Sequence, residues 1–234
     1  MSFTRWRSLV DGTEVDVGPA IPDSEVYLQD DWGDNKLTNR DDSGTTTYNG
    51  VEGVYRPEWT LEVGTPTASN QKIRVDDGEL AYAGINLNLD ETVTWEWSGV
   101  ESTSDSDTEW LGLGLFAETA IPAELNFNTT GLEDGYHIAC SSGGNFLRLY
   151  RLDGGTATEL AETDPGVTGW DNESVTATRS PSGEFEVFVN GTSEITATDT
   201  TFTAPENIAF ATRDEDSAGE AGPFELSVDE VKVS

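Results

Sequence analysis

The stretch GYHIACSSGGNFLRLYRLDGG, residues 135–155, alternates apolar and polar side chains on both sides of a glycine-rich centre. In its second half, Leu147 and Leu149 fall on one side of an extended chain, and Arg148 and Tyr150 fall on the other. A period of two is typical of strands, because successive side chains of a strand point to opposite faces. The stretch therefore predicts two strands joined across Ser-Ser-Gly-Gly, which form one wall of a β-sandwich.

The same alternation recurs along the chain. TVTWEWSG (92–99) places its valine and both tryptophans on one face, and Trp95 and Trp97 are expected to belong to the core. EFEVFVNGTSEITATD (184–199) contains two alternating segments that meet at Asn190-Gly191, a dipeptide that strongly favours a tight hairpin. No segment with a helical period reaches ten residues. The sequence predicts an all-β protein with about a dozen strands, arranged as a two-sheet antiparallel sandwich.

The charge of the chain is strongly negative, with 45 acidic and 12 basic residues and a net charge of −33. Such a chain is not expected to bind nucleic acid, whose phosphates require Lys and Arg, or an anionic membrane surface. Only three of the basic residues are lysines. This composition is typical of extreme halophiles, because at about 1 M salt the Debye length falls to about 3 Å and self-repulsion is screened. We expect a protein of a halophilic archaeon or its virus, made in a high-salt cytoplasm.

The N-terminal segment, residues 1–28, differs from the rest because it has short apolar clusters, two prolines and no sustained period. It is predicted to be an arm attached to a body that spans residues 29–234. Trp6, flanked by Arg5 and Arg7, docks either on its own domain or on a neighbouring subunit. The second alternative makes these three residues an assembly contact in a homo-oligomer or a larger particle.

Targeting signals are not evident in the sequence. The first residues lack the apolar stretch of a Sec signal peptide, and no apolar run is long enough to be inserted in a membrane. The single cysteine allows no internal disulfide. We expect the product to start in the cytoplasm and to reach a virion surface or the cell exterior by a route other than Sec.

Several phrases, in their order, resemble a known fold family. They are DDWGDNKLTNR (30–40), DDGELAYAG (76–84), the stretch quoted first, VTATRSPSGEFEVFVNGT (175–192) and FELSVDEVKV (224–233). Together they are similar to concanavalin A-like lectin/glucanase domains, which include laminin-G-like modules. The resemblance covers the whole predicted body and implies a jelly-roll sandwich. Lectins, carbohydrate-binding modules and glycan hydrolases share this fold, so the resemblance predicts the fold of the chain better than its function.

A catalytic set is not evident. The glucanases that the chain resembles carry an E-x-D-x-E motif on one strand, where two carboxylates act as acid and nucleophile. Here Glu184 and Glu186 share a face, but Phe188 follows them, and Glu96 stands alone. A Ser/His/Asp set would have to use His137, and no G-x-S-x-G turn accompanies it. His137 remains open to three interpretations: a surface or groove-lining residue, a ligand contact, or a catalyst.

A glycan-binding surface is one interpretation of the aromatic residues. Sugar binding in this fold uses aromatic rings and planar polar groups on the concave sheet. EWLGLGLF (109–116) places Trp110 on the same face as two glycines, which leaves a trough beside the ring. His137, Arg148 and Tyr150 line that trough if their strands neighbour this one. The alternative is that the aromatic rings only fill the sandwich.

A structural metal site is a further implication of the resemblance. Many members of the family hold one Ca²⁺ where the first and last strands meet. In this chain Asp229 would supply one ligand and Asp30 or Asp31 another, since carboxylate oxygens suit Ca²⁺. Accidental pairs among the many acidic residues are the alternative.

These observations favour a non-enzymatic glycan-binding or adhesion module. The expected setting is a virion turret, spike or fibre that contacts a glycan or glycoprotein on a host surface at high salt. One alternative is a purely structural capsid or tail decoration protein. The other is a glycoside hydrolase with an unfamiliar acid pair.

Overall fold

Within the residues that the computed structural model describes, the chain forms 22 strands and no helix. The predicted all-β class is confirmed, whereas the strand count exceeds the expected dozen. Ten of the strands lie before residue 77, and four of these have only two or three residues, too short for alternation to reveal them. The structure describes residues 3–4, 7–10, 13–16, 21–22, 28–41, 43–48, 51–63, 65–76, 80–84, 92–102, 108–112, 135–141, 146–153, 156–167, 169–202, 207–213 and 225–234.

Two sheets form the sandwich. The eleven-stranded sheet contains β5 (Leu28–Asp30), β6 (Gly44–Tyr48), β7 (Val51–Arg56), β9 (Thr67–Ser69), β10 (Lys72–Asp76), β12 (Val93–Ser102), β17 (Glu173–Arg179), β18 (Glu184–Val189), β19 (Thr192–Thr198), β21 (Glu225–Val228) and β22 (Glu230–Val233). The seven-stranded sheet contains β8 (Thr60–Val63), β11 (Leu80–Gly84), β13 (Thr108–Gly112), β14 (Gly135–Ser141), β15 (Phe146–Asp153), β16 (Thr156–Thr163) and β20 (Asn207–Arg213).

The strand order requires the chain to cross repeatedly between the sheets. The main path of the larger sheet is β19-β18-β17-β12-β22-β5-β7-β6. Outside this path, β21 pairs with the C-terminal end of β12, β10 pairs with β21, and β9 pairs with β10. The smaller sheet has the order β16-β15-β14-β13-β20-β11-β8. The described pairings are antiparallel except that of β5 with β7. The final strand β22 lies between β12 and β5, so the two ends of the body meet inside one sheet.

The core lies between the two sheets and follows the alternation in the sequence. Trp95 and Trp97 of β12 are fully buried, as are Leu147 and Leu149 of β15, and Cys140 belongs to the same core. The predicted hairpin of β18 and β19 is present. Its turn residues Asn190 and Gly191 have φ values of 50° and 78°, the left-handed geometry that this dipeptide favours.

β12 contains a bulge, and this strand pairs with β17 and β22 on the main path of the larger sheet and with β21 at its C-terminal end. The register with β17 shifts between Trp97 and Val100, and Gly99 within the bulge has a φ of 65°. A Cβ atom on Gly99 would lie 2.2 Å from Oδ2 of Asp229. Only glycine fits this position, because both the backbone conformation and the close approach exclude a side chain.

The N-terminal segment contains two small antiparallel ladders. β1 (Phe3–Thr4) pairs with β4 (Ile21–Pro22), and β2 (Arg7–Val10) pairs with β3 (Thr13–Asp16). Arg5 and Trp6 lie outside the described residues, as does the side chain of Arg7 at the start of β2. Their role in assembly therefore stays a prediction. Within the described ranges, no helix has the length and hydropathy needed to cross a membrane.

Candidate functional site

The residues predicted to bind glycans fall on three adjacent strands of the seven-stranded sheet, β13, β14 and β15. Directly paired residues of antiparallel strands share a face of the sheet, and this face points away from the core. The side chain of Trp110 lies outside the described residues, whereas its register position on β13 is described. The register aligns two cross-strand rows, Gly112–His137–Tyr150 and Trp110–Ala139–Arg148.

Small residues surround the register position of Trp110. On β20 the two rows continue with Ala209 and Ala211, and on β14 the neighbour of Trp110 is Ala139. Ala139 and Ala209 are buried, although neither belongs to the core between the sheets. Gly114, the second glycine of the expected trough, lies outside the described residues. The described neighbours of the Trp110 position, Ala139 and Ala209, thus carry small and buried side chains on this face.

Five side chains of β15 and β16, here called the Arg148 cluster, form the polar part of this face: Phe146, Arg148, Tyr150, Glu159 and Glu162. Nε of Arg148 forms an ion pair with Glu162 and lies 3.5 Å from Oε2 of Glu159. Nη1 donates to the Tyr150 hydroxyl at 3.5 Å, and the guanidinium carbon lies 3.9 Å from the Phe146 ring centroid. These contacts fix the orientation of the guanidinium.

The protonation of Arg148 reflects the same contacts. Burial alone would lower the pKa of the guanidinium, but the hydrogen bond to Glu162 and the presence of Tyr150 outweigh it, so the pKa is raised. Tyr150 in turn donates to Oε2 of Glu159 at 3.5 Å. The cluster therefore presents a fixed positive group, an aromatic ring and two carboxylates at one half-exposed surface.

Glu159 and Glu162 were not predicted from the sequence. In a regular strand, residues three apart point to opposite faces. A bulge in the pairing of β15 with β16 changes this, so that Leu160 and Ala161 both pack against the core and the two glutamates share the outer face. In Glu-Leu-Ala-Glu (159–162), two consecutive apolar residues interrupt the alternation, and this is the signal of the bulge in the sequence. The position of the register shift is visible only in the pairing with β15.

His137 differs from the expectation. It occupies the predicted face, but it is fully buried, and every residue from Gly135 to Cys140 is buried as well. Burial lowers the pKa of the imidazole to about 3, so His137 is neutral near pH 7. The prediction that His137 lines an open groove is wrong, because β14 is an interior strand covered on both faces. A fully buried imidazole is also poorly placed to contact a ligand or act as a catalyst.

The predicted metal ligand Asp30 has other partners. Arg40 donates to Asp30 through both terminal nitrogens, one of them at 3.0 Å, and Arg56 donates at 3.3 Å. The indole nitrogen of Trp59 donates to Oδ2 at 2.8 Å. The carboxylate is fully buried and is neutralised by two guanidinium groups, which take the place that a cation would occupy.

The other two predicted metal ligands are also paired with basic side chains. Asp31 lies 3.3 Å from Arg56, and Asp229 lies 3.1 Å from Nζ of Lys72. In the part of the chain that the structure describes, no group of three or more His, Cys, Asp or Glu residues is arranged to hold a metal ion. These contacts argue against a Ca²⁺ site formed by Asp30, Asp31 and Asp229, because protein cations already balance the three carboxylates.

A second polar cluster joins the two sheets. The Tyr136 hydroxyl of β14 donates to Oδ1 of Asp199 at 2.6 Å, and Arg151 of β15 donates to Oδ2 at 2.7 Å. Burial and the contact with Asp199 raise the pKa of Tyr136 to about 12. Burial would raise the pKa of Asp199, but hydrogen bonds from Tyr136, Thr201 and Arg151 lower it to about 2. These hydrogen bonds tether the seven-stranded sheet to the end of β19.

Comparison with known proteins identifies the fold. No protein-family profile and no curated protein sequence matches the chain. Among solved structures, the Emp47p carbohydrate recognition domain aligns with a TM-score of 0.58 and 13% identity, over 90% of this chain and 95% of that one. The carbohydrate-binding module CBM66 from Bacillus subtilis aligns with a TM-score of 0.51 and 11% identity, over 74% and 94% of the two chains. The fold is a lectin-like jelly roll.

A third structure extends the comparison. The Emp46p carbohydrate recognition domain in its potassium-bound form aligns with a TM-score of 0.53 and 12% identity, over 75% of this chain and 87% of that one. At such low identities the likeness concerns the fold alone. The lectin-like jelly roll confirms the fold class predicted from the sequence.

Proposed function

We propose that this lectin-like jelly roll is a non-enzymatic glycan-binding module that binds through the Arg148 cluster, with a contribution from Trp110, whose register position lies two strands away in the same cross-strand row as Arg148. The observation that carries the proposal is the half-exposed Tyr150 ring beside Arg148 and Glu159. A pyranose has an apolar face that stacks on an aromatic ring, and its hydroxyls need planar donors and acceptors at the ring edge. The carbohydrate-binding domains that share the fold support the same conclusion.

The Arg148 cluster is poorly arranged for glycoside hydrolysis. Most glycosidases hold two carboxylates on opposite sides of the scissile bond, with the space between them left for substrate or water. Glu159 and Glu162 instead approach the same nitrogen of Arg148. The guanidinium therefore occupies the position that a glycosidic oxygen would need. An assay for reducing-sugar release tests the alternative, and hydrolysis lost in Glu159→Gln or Glu162→Gln would favour the enzyme.

The test of glycan binding is a glycan array probed in about 2 M KCl, where the acidic surface is screened. We expect Trp110→Ala and Tyr150→Ala to abolish binding and to leave the melting transition nearly unchanged. Phe188→Ala is the matched control, because Phe188 is a half-buried aromatic residue on the outer face of the other sheet. Trp95→Ala gives the loss of stability expected at a core position, about 3–5 kcal/mol, for comparison. A comparable loss of stability in Trp110→Ala would assign Trp110 to packing.

We further propose that the module belongs to a virion surface component of a halophilic archaeal system, such as a turret, spike or fibre, and contacts a host glycoprotein. Its net charge of −33 supports a high-salt setting. Residues 1–28, with Arg5, Trp6 and Arg7, would join the module to identical subunits or to a particle. Deletion of residues 2–27, which keeps the buried Leu28 of β5 in place, should then give a folded monomer, as measured by light scattering in high salt. An unchanged mass would contradict the attachment role.

A further inference from the structure

The Arg148 cluster retains hydrogen-bonding groups that its internal contacts do not use. The contacts involve Nε and Nη1 of Arg148 and the Oε2 atoms of both Glu159 and Glu162. None of these contacts between described residues uses Nη2 of Arg148 or the Oε1 atoms of Glu159 and Glu162. The side chains of Arg148, Glu159 and Glu162 are 28%, 46% and 45% exposed. A fixed donor group thus stands next to two accessible acceptors.

The charge balance of the cluster is negative. One guanidinium faces two carboxylates, and the whole chain carries a net charge of −33. An anionic ligand would accept hydrogen bonds from Arg148 but would lie against two carboxylates of the same sign. Such a contact is unfavourable at any salt concentration, because a Debye length of about 3 Å at 1 M screens distant charges but not charges in contact.

Neutral sugars fit the same groups. A sugar hydroxyl both donates and accepts a hydrogen bond, so one hydroxyl of a vicinal diol can donate to a glutamate while the other accepts from Arg148. Glycan carboxylates and sulfates only accept. We propose that the Arg148 cluster selects neutral glycans with vicinal hydroxyls and rejects glycans that carry sialic acid, uronic acid or sulfate. This selection rests on the proposed function, because it concerns the same surface.

The test compares matched neutral and acidic glycans, such as lactose with sialyllactose and galactose oligomers with galacturonic acid oligomers, in about 2 M KCl. We expect the wild-type protein to bind the neutral member of each pair at least about tenfold more tightly. In the double variant Glu159→Gln/Glu162→Gln, the affinity for the acidic glycan of each pair should rise until it equals the affinity for the neutral glycan. Glutamine keeps the shape and an acceptor oxygen, so the loss of charge is the main change.

A second double variant, Glu184→Gln/Glu186→Gln, is the matched control, because it removes two charges from the outer face of the other sheet. It should keep the wild-type preference. Thermal melts establish that both variants are folded before binding is compared. Equal binding of acidic and neutral glycans by the wild type would overturn the selection and leave the proposed function intact. A preference that survives in Glu159→Gln/Glu162→Gln would also overturn it. Absence of binding to any glycan would instead contradict the proposed function.

Discussion

Arg40 holds the carboxylate of Asp30 through both terminal nitrogens of its guanidinium, and neither side chain is exposed. The same guanidinium contacts Asp34, and Asp30 also accepts from the Trp59 indole. Trp59 packs against Phe210 of the seven-stranded sheet, with 5.3 Å between the ring centroids. The buried pair therefore connects the start of the larger sheet with the aromatic core that lies between the sheets.

Removal of Arg40 should strongly destabilise the fold. Arg40→Ala leaves Asp30 buried with one of its two cations missing, and breaking a buried pair in this way costs about 3–5 kcal/mol. Chemical denaturation in high salt measures the loss. Lys36→Ala is the control, since Lys36 makes an exposed ion pair with Asp41 at 3.7 Å and should leave the unfolding free energy unchanged. Equal effects of the two substitutions would contradict a structural role for the buried pair.

Substitution of Gly99 should destabilise the β12 bulge. Gly99→Ala combines an unfavourable φ of 65° with a Cβ position 2.2 Å from Asp229. Gly191→Ala separates the two causes, because Gly191 has a φ of 78° but a Cβ atom added there would meet nothing within 4 Å. We expect Gly191→Ala to cost about 1–2 kcal/mol from backbone strain and Gly99→Ala to cost clearly more. Thermal melts of both variants make the comparison, and equal losses would exclude the Asp229 clash.

The stability should fall in weak acid because of His137. Its pKa is about 3 in the folded protein and 6.5 in the unfolded chain, so only the unfolded chain takes up a proton between these values. The contribution of His137 is fully present above pH 6.5 and is lost as the pH falls, with a slope approaching about 1.4 kcal/mol per pH unit. Denaturation between about pH 5 and pH 6.5 measures the slope, and His137→Gln should reduce it.

Nuclear magnetic resonance gives an independent measurement of the same property. The chain has one histidine, so its imidazole signal needs no assignment. We expect this signal to show no titration between about pH 7 and 5 in the folded protein. A titration midpoint near 6.5 in the folded state would contradict the burial of His137.

Salt should control folding because the charge is so unbalanced. The net charge of −33 produces self-repulsion that salt screens, so we expect cooperative folding above about 1 M KCl and loss of structure in dilute buffer. Circular dichroism across a KCl series measures the transition. Equal stability in about 50 mM salt would contradict a halophilic origin.

Local patterns in the sequence were sufficient to predict the fold class, the hairpin at Asn190-Gly191 and the burial of Trp95 and Trp97. These features depend on local rules, since side chains alternate along each strand and a two-residue turn has its own backbone preference. The face occupied by Arg148 and Tyr150 was predictable for the same reason. Alternation alone, without knowledge of the partner strands, predicts the faces of a strand.

Which side chains meet became clear only when the strands were paired in three dimensions. Asp30, predicted as a metal ligand, accepts hydrogen bonds from Arg40 and Arg56, because the chain after β5 returns both guanidinium groups to it. His137 has the expected face but lies buried in an interior strand. Glu159 and Glu162 share a surface because the register with β15 shifts at a bulge. Each outcome depends on strand pairing, and the local periodicity of a sequence carries no information about which strands pair or where their register slips.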